Sequence, residues 1–196
     1  MLEILQLLKE AISVYGTRFP WVIFTALVIL PGFGFPASAL LLLAGAIWGS
    51  SLQSGLTALA AIALNISWTH SLAAGPGRHL AIRLLGDRWL RWHTMPRNDH
   101  LKLACLLRLT PGVPLFVQNY VLGLLGVPLR ESLLIAIPVT GLYVFGFVLT
   151  GGALFEGKTG LAVTGLSLVV VAAIGVRFAK SRFSSTDRSA KIPTNT

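Results

Sequence analysis

The stretch RLTPGVPLFVQNYVLG, residues 108–123, combines features that a plain transmembrane helix lacks. It opens a run without charged residues, from Leu109 to Leu129. Yet it begins at an arginine, carries two prolines three residues apart, and contains the polar pair Gln118 and Asn119. Proline removes a backbone donor and breaks a helix, and non-helical backbone at membrane depth is tolerated only inside protein or beside a wet cavity. The stretch therefore predicts a re-entrant hairpin that enters and leaves the membrane on one side.

The composition of the whole chain predicts an all-α polytopic membrane protein. Its 196 residues are 54% hydrophobic and 12% charged, whereas soluble domains carry about 25% charged residues. No charged residue occurs from Phe19 to Gly77, a run of 59 residues. Runs this continuous suit helices rather than the alternating strands of a membrane barrel. The net charge of +9 is assigned to loops that face lipid headgroups, and not to nucleic acid, because the basic residues flank the apolar segments.

A second short apolar segment, PASALLLLAGAIWG at 36–49, predicts a second re-entrant hairpin. As a helix its 14 residues reach about 21 Å, short of the roughly 30 Å hydrocarbon core. Two hairpins leave about four crossings, near 18–35, 53–75, 132–152 and 160–177. This topology places 15 of the 16 basic residues on one side, which the positive-inside rule makes cytoplasmic. Both termini are then cytoplasmic, and only Lys158 lies opposite.

The two hairpins share a pattern that is typical of an inverted-topology repeat. Each begins with Pro-Gly and a second proline, and nine residues separate Pro36 from Gly45 and Pro114 from Gly123. The alternative is a chance match, because glycine and proline are frequent in membrane helices. We expect the hairpins to be shaped by Pro31, Gly32, Pro36, Gly45, Pro111, Gly112, Pro114 and Gly123.

The ends of the chain differ from the membrane domain, which we place at 18–178. Residues 1–17 carry acids and lack a basic segment followed by a small-residue cleavage site, so they do not fit a cleavable signal sequence. They predict a short amphipathic helix at the membrane surface instead. Residues 179–196 form a basic polar tail of the kind that is disordered. Between the two hairpins, Trp89 and Trp92 alternate with arginines, which predicts an interfacial helix.

Three stretches of the chain resemble the DedA/VTT superfamily of SNARE-associated Golgi-type membrane proteins, over roughly residues 20–155. They are RLTPGVPLFVQNYVLGLLGVP for its signature, FPASALLLLAGAIWG for its first re-entrant element and GPGRHLAIRLLGDRWL for its basic stretch. The resemblance implies two opposed re-entrant hairpins and lipid transport. In that family the transport is phospholipid scrambling in eukaryotes, and translocation of polyprenyl phosphate or phospholipid in bacteria. The pair Asn119-Tyr120 is more similar to the Golgi-type branch than to narrow DedA proteins.

The chain departs from the narrow DedA pattern in its charged residues. Those proteins carry a glutamate in the first hairpin, where this chain has Ala37 and Ser38. They also carry an aspartate in the next helix, whereas this chain has no acid between residues 19 and 77. Pro114 stands near the position of the family's second arginine. Proton coupling through intramembrane carboxylates is therefore not expected, and a passive scramblase fits better.

Arg108 is the leading candidate for binding a substrate. A guanidinium at the hairpin mouth can hold a lipid phosphate through two parallel hydrogen bonds. Its alternative role is to snorkel to the interface or anchor the topology. Gln118 and Asn119 either line a headgroup path or satisfy the hairpin backbone. Tyr120 and Arg78 are further candidates, with packing and topology anchoring as their respective alternatives.

These features favour membrane lipid translocation, by scramblase or flippase action on lipids with anionic headgroups. The alternatives are a secondary transporter of a small anion and a non-transporting membrane scaffold. An enzyme, a metal site and a cofactor are not expected, because no Ser/His/Asp set, carboxylate pair or metal cluster falls in a plausible site. His70, a titratable group inside an apolar run, either relays a proton or packs. We expect a bacterial inner-membrane protein, and a homo-oligomer stays open.

Overall fold

The computed structural model describes residues 19–85, 97–108, 113–159, 161–171 and 173–175, and all regular structure in these ranges is helical. The elements are α1 (Pro20–Ile29), a 3₁₀ turn (Leu30–Phe33), α2 (Ala37–Trp48), α3 (Leu52–Leu72), a π-helical turn (Ala73–Gly77), α4 (Arg78–Leu85), α5 (Arg97–Arg108), α6 (Leu115–Leu124) and α7 (Leu129–Phe155). A last apolar helix runs over Leu161–Gly175. The predictions for residues 1–17, Trp89, Trp92, Pro111, Gly112 and 179–196 lie outside the described residues.

Two helices in the described part of the chain are long and apolar enough to cross a membrane. They are Leu52–Leu80, with 29 residues and a mean hydropathy of 1.3, and Leu129–Phe155, with 27 residues and a mean hydropathy of 2.2. The first consists of α3, the π-helical turn and the start of α4, and the second is α7. They coincide with two of the predicted crossings, at 53–75 and 132–152.

The other two predicted crossings contain shorter helices. Within 18–35, the apolar helix covers Pro20–Phe33, and its α-helical part ends at Ile29. It ends there because Pro31 lies in a tighter 3₁₀ turn, which Gly34 closes with a φ of 92°. Within 160–177, the helix Leu161–Gly175 is also below spanning length over the described residues.

Each predicted hairpin segment contains one half-length helix. The 12 residues of α2 and the 10 residues of α6 reach about 18 and 15 Å, so neither helix could cross a bilayer. Both begin directly after an extended proline, Pro36 with a ψ of 111° and Pro114 with a ψ of 145°. After each helix, a glycine with positive φ turns the chain into a long helix: Gly49 at 84° and Gly126 at 75°.

The glycines nine residues after these prolines lie where a half-length helix crosses a long one. A Cβ atom at Gly45 would overlap the backbone oxygen of Val148 on α7, and one at Gly123 would overlap the backbone oxygen of His70 on α3. Helix α2 therefore packs on the long helix that follows α6, and α6 packs on the long helix that follows α2. This exchange of partners is compatible with a two-fold relation between the two units.

The turn after each half-length helix is also bonded to the other unit. After α2, the backbone N–H and the hydroxyl of Ser50 both donate to the carboxylate of Glu156, just beyond α7, over 3.0 Å. After α6, the backbone oxygen of Val127 accepts from Nε2 of His70 on α3 over 2.9 Å. The first of these links is exposed, and the second is buried.

The main hydrophobic core lies between α1, α2, α3 and α7. Its buried members are Ile23, Leu27, Leu40, Leu41, Ala44, Ala58, Ala61, Ile62, Ile66, Ala136, Val144 and Val148. A smaller cluster of Ala104, Leu122 and Val127 joins α5 to α6 and to the turn after it. The two clusters fix the half-length helices against the long ones, which positions the residues of the site described next.

Candidate functional site

Arg108, the last residue of α5, is buried among polar groups of α6 and α7. Only 5% of its surface is exposed. Nη1 donates to Oε1 of Gln118 over 3.2 Å, and Nη2 donates to Oδ1 of Asn119 over 2.7 Å. Nη2 also lies 3.4 Å from the hydroxyl of Ser132. The three accepting oxygens are neutral, so these bonds orient the guanidinium without neutralising its charge.

The third nitrogen of this guanidinium, Nε, is buried and has no hydrogen-bond partner among the described residues. Burial lowers the pKa of Arg108 to about 10, because desolvation disfavours the charged form. The side chain is nevertheless a cation at neutral pH. Coulombic attraction is stronger in such a weakly polar environment than in water, so the arrangement favours the binding of an anion.

Asn119 connects Arg108 to α3. It is fully buried, its Oδ1 accepts from Arg108, and its Nδ2 donates to the hydroxyl of Thr69 over 2.9 Å. That hydroxyl in turn donates to the backbone oxygen of Asn65 over 2.6 Å. Because both ends of the Asn119 amide are engaged, it can hold the guanidinium in one orientation. Gln118 is fixed in a similar way, since its Nε2 donates to the backbone oxygen of Val113 over 2.9 Å.

A cavity of about 160 Å³ lies beside the guanidinium, between α2, α3, α6 and α7. Apart from Arg108, its polar lining residues are Ser38, Gln118, Thr140 and Tyr143. The rest of its lining within the described part of the chain is apolar: Ala37, Leu41, Ile62, Val113, Leu115, Val139, Val144 and Phe147. One cation and a few hydroxyl and amide groups in an otherwise apolar space are typical of a site for a small polar group.

A second cavity, of about 310 Å³, adjoins the first at the prolines that begin the half-length helices. Its lining is Pro31, Gly34, Phe35, Pro36, Ala37, Ser38, Pro114, Leu115 and Phe116. Ala37, Ser38 and Leu115 line both cavities. The two spaces are therefore neighbours, and the first residues of α2 and α6 lie between them.

The five substrate-binding residues predicted from the sequence occupy different places. Arg108 and Gln118 line the smaller cavity, and Asn119 holds Arg108 through its bond to Nη2. The hydroxyl of Tyr120 donates to the backbone oxygen of Gly32 over 3.2 Å, which ties α6 to the 3₁₀ turn. Arg78 begins α4 and is absent from the described lining of both cavities.

The residues predicted to shape the hairpins lie at turns and close contacts. Pro31, Pro36 and Pro114 line the larger cavity. Gly32 lies under the ring of Trp68, where a Cβ atom would overlap it, and the close contacts of Gly45 and Gly123 are given above. Pro111 and Gly112 stay predictions, because the structure does not describe them.

Five further polar residues of the site were not predicted as site residues. Ser38, Thr140 and Tyr143 line the smaller cavity. Ser132 accepts from Arg108 itself, and Thr69 accepts from Asn119, which holds Arg108. Spacing could have indicated part of this set, because Thr140, Tyr143 and Phe147 are three and four residues apart and so share one face of α7. Ser132 gives no comparable signal, since it simply follows two charged residues at the start of a long apolar helix.

Comparisons with known proteins add no relative: no protein-family model, curated protein or solved structure matches the chain. The described residues also contain no group of three or more His, Cys, Asp or Glu side chains that could hold a metal ion. The resemblance to the DedA/VTT superfamily therefore stays a prediction. The function has to be inferred from the arginine and the two cavities.

Proposed function

We propose that the protein moves lipids with anionic headgroups across a bilayer, by way of the cavities beside Arg108. The observation that carries this proposal is a buried cation held by neutral oxygens at a cavity between two half-length helices. The substrate class is a lipid phosphate, either a phospholipid or a polyprenyl phosphate. The sequence resemblance to the DedA/VTT superfamily points to the same class.

The surfaces of the long helices support a membrane setting. Only 44% of the most apolar window of Leu52–Leu80 is buried inside the protein, and 33% of that of Leu129–Phe155. The helix at the core of a soluble protein would be mostly buried. Large apolar side chains instead lie open on these helices, such as Leu52 at 69% and Leu134 at 65% exposure. Hydrocarbon would cover such surfaces without the cost of exposing them to water.

The proposed topology has four crossings, two opposed re-entrant hairpins and both termini in the cytoplasm of a bacterial cell. The count of basic residues supports it, and cysteine labelling tests it. In a Cys105→Ser background, a cysteine at Lys158 should react only from outside, and a cysteine at Arg182 only from inside. Labelling of both positions from the same side would contradict this topology.

Arg108 would lower the barrier that a headgroup phosphate meets on its way from the cytoplasmic surface to the membrane centre. Estimates for an unescorted charge at this depth run from ~3 to above 10 kcal/mol. The phosphate would bind the guanidinium and exchange contacts with the hydroxyls of Ser38, Thr140 and Tyr143 along the cavity, while the acyl chains stay in hydrocarbon. Since ~1.4 kcal/mol corresponds to a tenfold change in rate, a few such contacts would speed the movement greatly.

The transport is proposed to be passive. No acidic residue occurs between residues 19 and 77, so α1, α2 and α3 offer no carboxylate that could carry a proton. Among the described residues, the polar groups that line the smaller cavity are a cation, an amide and hydroxyls. A scramblase requires no more than this, because it only lowers the barrier between two leaflets.

Reconstitution into liposomes tests this function directly. Purified protein is incorporated into vesicles that carry a fluorescent phospholipid or a fluorescent polyprenyl phosphate in both leaflets, and a membrane-impermeant quencher is then added. Protein-free vesicles should lose about half of the signal, whereas active protein should expose nearly all of it. A loss of only half with every probe would contradict the proposal.

Transport of a small anion is a second candidate, favoured by the size of the smaller cavity. A space of about 160 Å³ accommodates an ion such as phosphate more readily than a bulky headgroup. Uptake of labelled inorganic phosphate into the same liposomes would distinguish the two functions. Uptake without lipid movement would assign the site to the free ion.

A further inference from the structure

We propose that the N-terminal ends of α2 and α6 form one phosphate-binding site together with Arg108. This inference rests on the proposed function, because it specifies how the anionic group of the substrate is held. It also extends the site beyond one arginine, to backbone donors of two helices that are 78 residues apart at Pro36 and Pro114.

The beginnings of both half-length helices meet at the same space. Pro36 and Pro114, which precede α2 and α6, line the larger cavity, and the residues that follow them line both cavities. The first backbone N–H groups of a helix have no partner within it and point out of its end. Together with the helix dipole they favour an anion there. Two such ends at one cavity would add their effects.

Neither of these ends is closed by a side chain. The structure gives α2 and α6 no side-chain capping bond, and a proline occupies each N-cap position. The N-terminus of α3 is different, because the hydroxyl of Ser51 accepts from the backbone N–H of Ser54 over 3.1 Å. The backbone N–H of Ala39 donates to the backbone oxygen of Pro36 over 3.2 Å. The other first-turn donors of α2 and those of α6 are left for a ligand, whereas α3 uses a side chain of its own.

The buried charge of Arg108 points independently to a ligand, because only neutral oxygens accept from this side chain. Buried polar groups in proteins nearly always have a hydrogen-bond partner. Arg108 is 95% buried, lines the smaller cavity, and still has a donor without an acceptor among the described residues. An anion in the cavity would supply the missing negative charge.

The chemistry of the site fits a phosphate group. Its oxygens are arranged in a tetrahedron, so that different oxygens can accept from the two helix ends and from the guanidinium of Arg108. Hydrogen bonds between a phosphate and a guanidinium are among the stronger ones in proteins. The same contacts would form with the phosphate of a lipid and with free inorganic phosphate.

A carboxylate placed at the start of α2 tests the site. Ser38 is the second residue of α2 and lines both cavities. In the variant Ser38→Asp, the new carboxylate would compete for the backbone donors and repel a bound anion. An acid in the first turn favours a helix, so the variant should fold. The matched control is Gln53→Asp, since Gln53 is the second residue of α3, is exposed, and lies outside the described lining of both cavities.

Binding is measured by ³¹P NMR on the purified full-length protein, with inorganic phosphate in detergent and with phosphatidic acid in nanodiscs of neutral lipid. The wild type should bind at least one of the two probes. Ser38→Asp should weaken that binding about tenfold or more, because like charges at close range cost several kcal/mol, and Gln53→Asp should leave it unchanged.

Each outcome decides the inference. Binding of phosphatidic acid alone supports the site and assigns it to a lipid headgroup. Binding of inorganic phosphate, alone or as well, supports the site and shows that acyl chains are not required. No binding of either probe, or equal binding by the wild type and folded Ser38→Asp, would overturn it. Lipid movement is not measured here, so protein that binds phosphate but moves no lipid would contradict only the proposed function.

Discussion

The two half-length helices share the positions of their prolines and glycines but differ in the polarity of their buried side chains. Counted from the proline that precedes each helix, Leu40 and Leu41 of α2 occupy the positions that Gln118 and Asn119 occupy in α6. All four side chains are buried, with 6%, 4%, 8% and 0% of their surfaces exposed. The same degree of burial thus serves a hydrophobic core in one unit and a polar network around Arg108 in the other.

This difference separates what builds the fold from what builds the site. The prolines, the glycines nine residues later and the positive-φ glycines at the turns recur in both units, and they set how each helix lies on its long partner. The side chains between them do not recur. Two units with the same backbone pattern can therefore carry the polar network around Arg108 on one side only, and the predictions that follow test the backbone pattern and the network separately.

The largest effect is expected at the shared glycines. Gly45→Ala and Gly123→Ala would each push a methyl group into the backbone of a long helix, which should cost about 3 kcal/mol of unfolding free energy or more. Gly175→Ala is the control, because a Cβ atom there meets nothing within 4 Å. Unfolding in mixed detergent micelles measures all three variants. If Gly45→Ala is strongly destabilised and Gly123→Ala is as stable as the wild type, the two units are not equivalent.

A smaller loss of stability is expected when a buried polar residue of α6 is replaced by the leucine that α2 has at the equivalent position. Asn119→Leu removes the acceptor of Arg108 and the donor to Thr69, so buried polar groups lose their partners at a cost of about 1–3 kcal/mol. The control is Leu41→Met at the equivalent position of α2, where a volume-conserving change costs less than about 1.5 kcal/mol. Equal stability of Asn119→Leu and wild type would show that the polar network is dispensable for the fold.

The smallest effect is expected at the exposed turn after α2. Hydrogen bonds from Lys158 and from Ser50 hold the pKa of Glu156 at about 2, below its ordinary value of 4.5. A carboxyl group whose pKa is lower in the folded state adds stability at any pH above its pKa in the unfolded state. This stability is lost as the pH falls through the pKa of the folded state. Wild type should therefore melt slightly above Glu156→Gln at neutral pH, and the gap should close between pH 4.5 and 2.

The equivalent turn after α6 provides the comparison for that measurement. There the link is the buried bond between His70 and Val127. His70→Phe should therefore lower the free energy of unfolding by about 1 kcal/mol at neutral pH, and this effect should exceed that of Glu156→Gln. A gap between Glu156→Gln and wild type that persists unchanged to pH 2 would contradict the role given to Glu156.

The positions where the helices begin and break could be predicted from the sequence, because they depend on local residue types. Proline and glycine act on the backbone where they stand, so the breaks at Pro36, Pro114 and the following turns were visible in one sequence. Pro31 is a signal of the same kind, and the predicted crossing at 18–35 contains only a 14-residue helix, Pro20–Phe33. Which long helix each glycine contacts could not be predicted, since that choice depends on tertiary packing.

The site could be predicted only in part, for the same reason. Arg108, Gln118 and Asn119 fall in one short stretch, where polar residues stand out against apolar neighbours. Thr69 and Ser132 reach the same network from distant helices. No local pattern connects them to Arg108, because a hydroxyl in a long apolar helix more often bonds its own backbone, as Thr150 does to Gly146.

Lipid movement by variants of Arg108 tests the central claim most directly. In the liposome assay, Arg108→Ala should slow lipid movement about tenfold or more, since only ~1.4 kcal/mol of barrier lowering has to be lost for this. Arg130→Ala, which removes an exposed arginine, should leave the rate unchanged. Arg108→Lys should restore part of it, because an ammonium group lacks the planar fork of the guanidinium. If monodisperse Arg108→Ala protein moves lipid at the wild-type rate, Arg108 only anchors the fold and the proposed site is wrong.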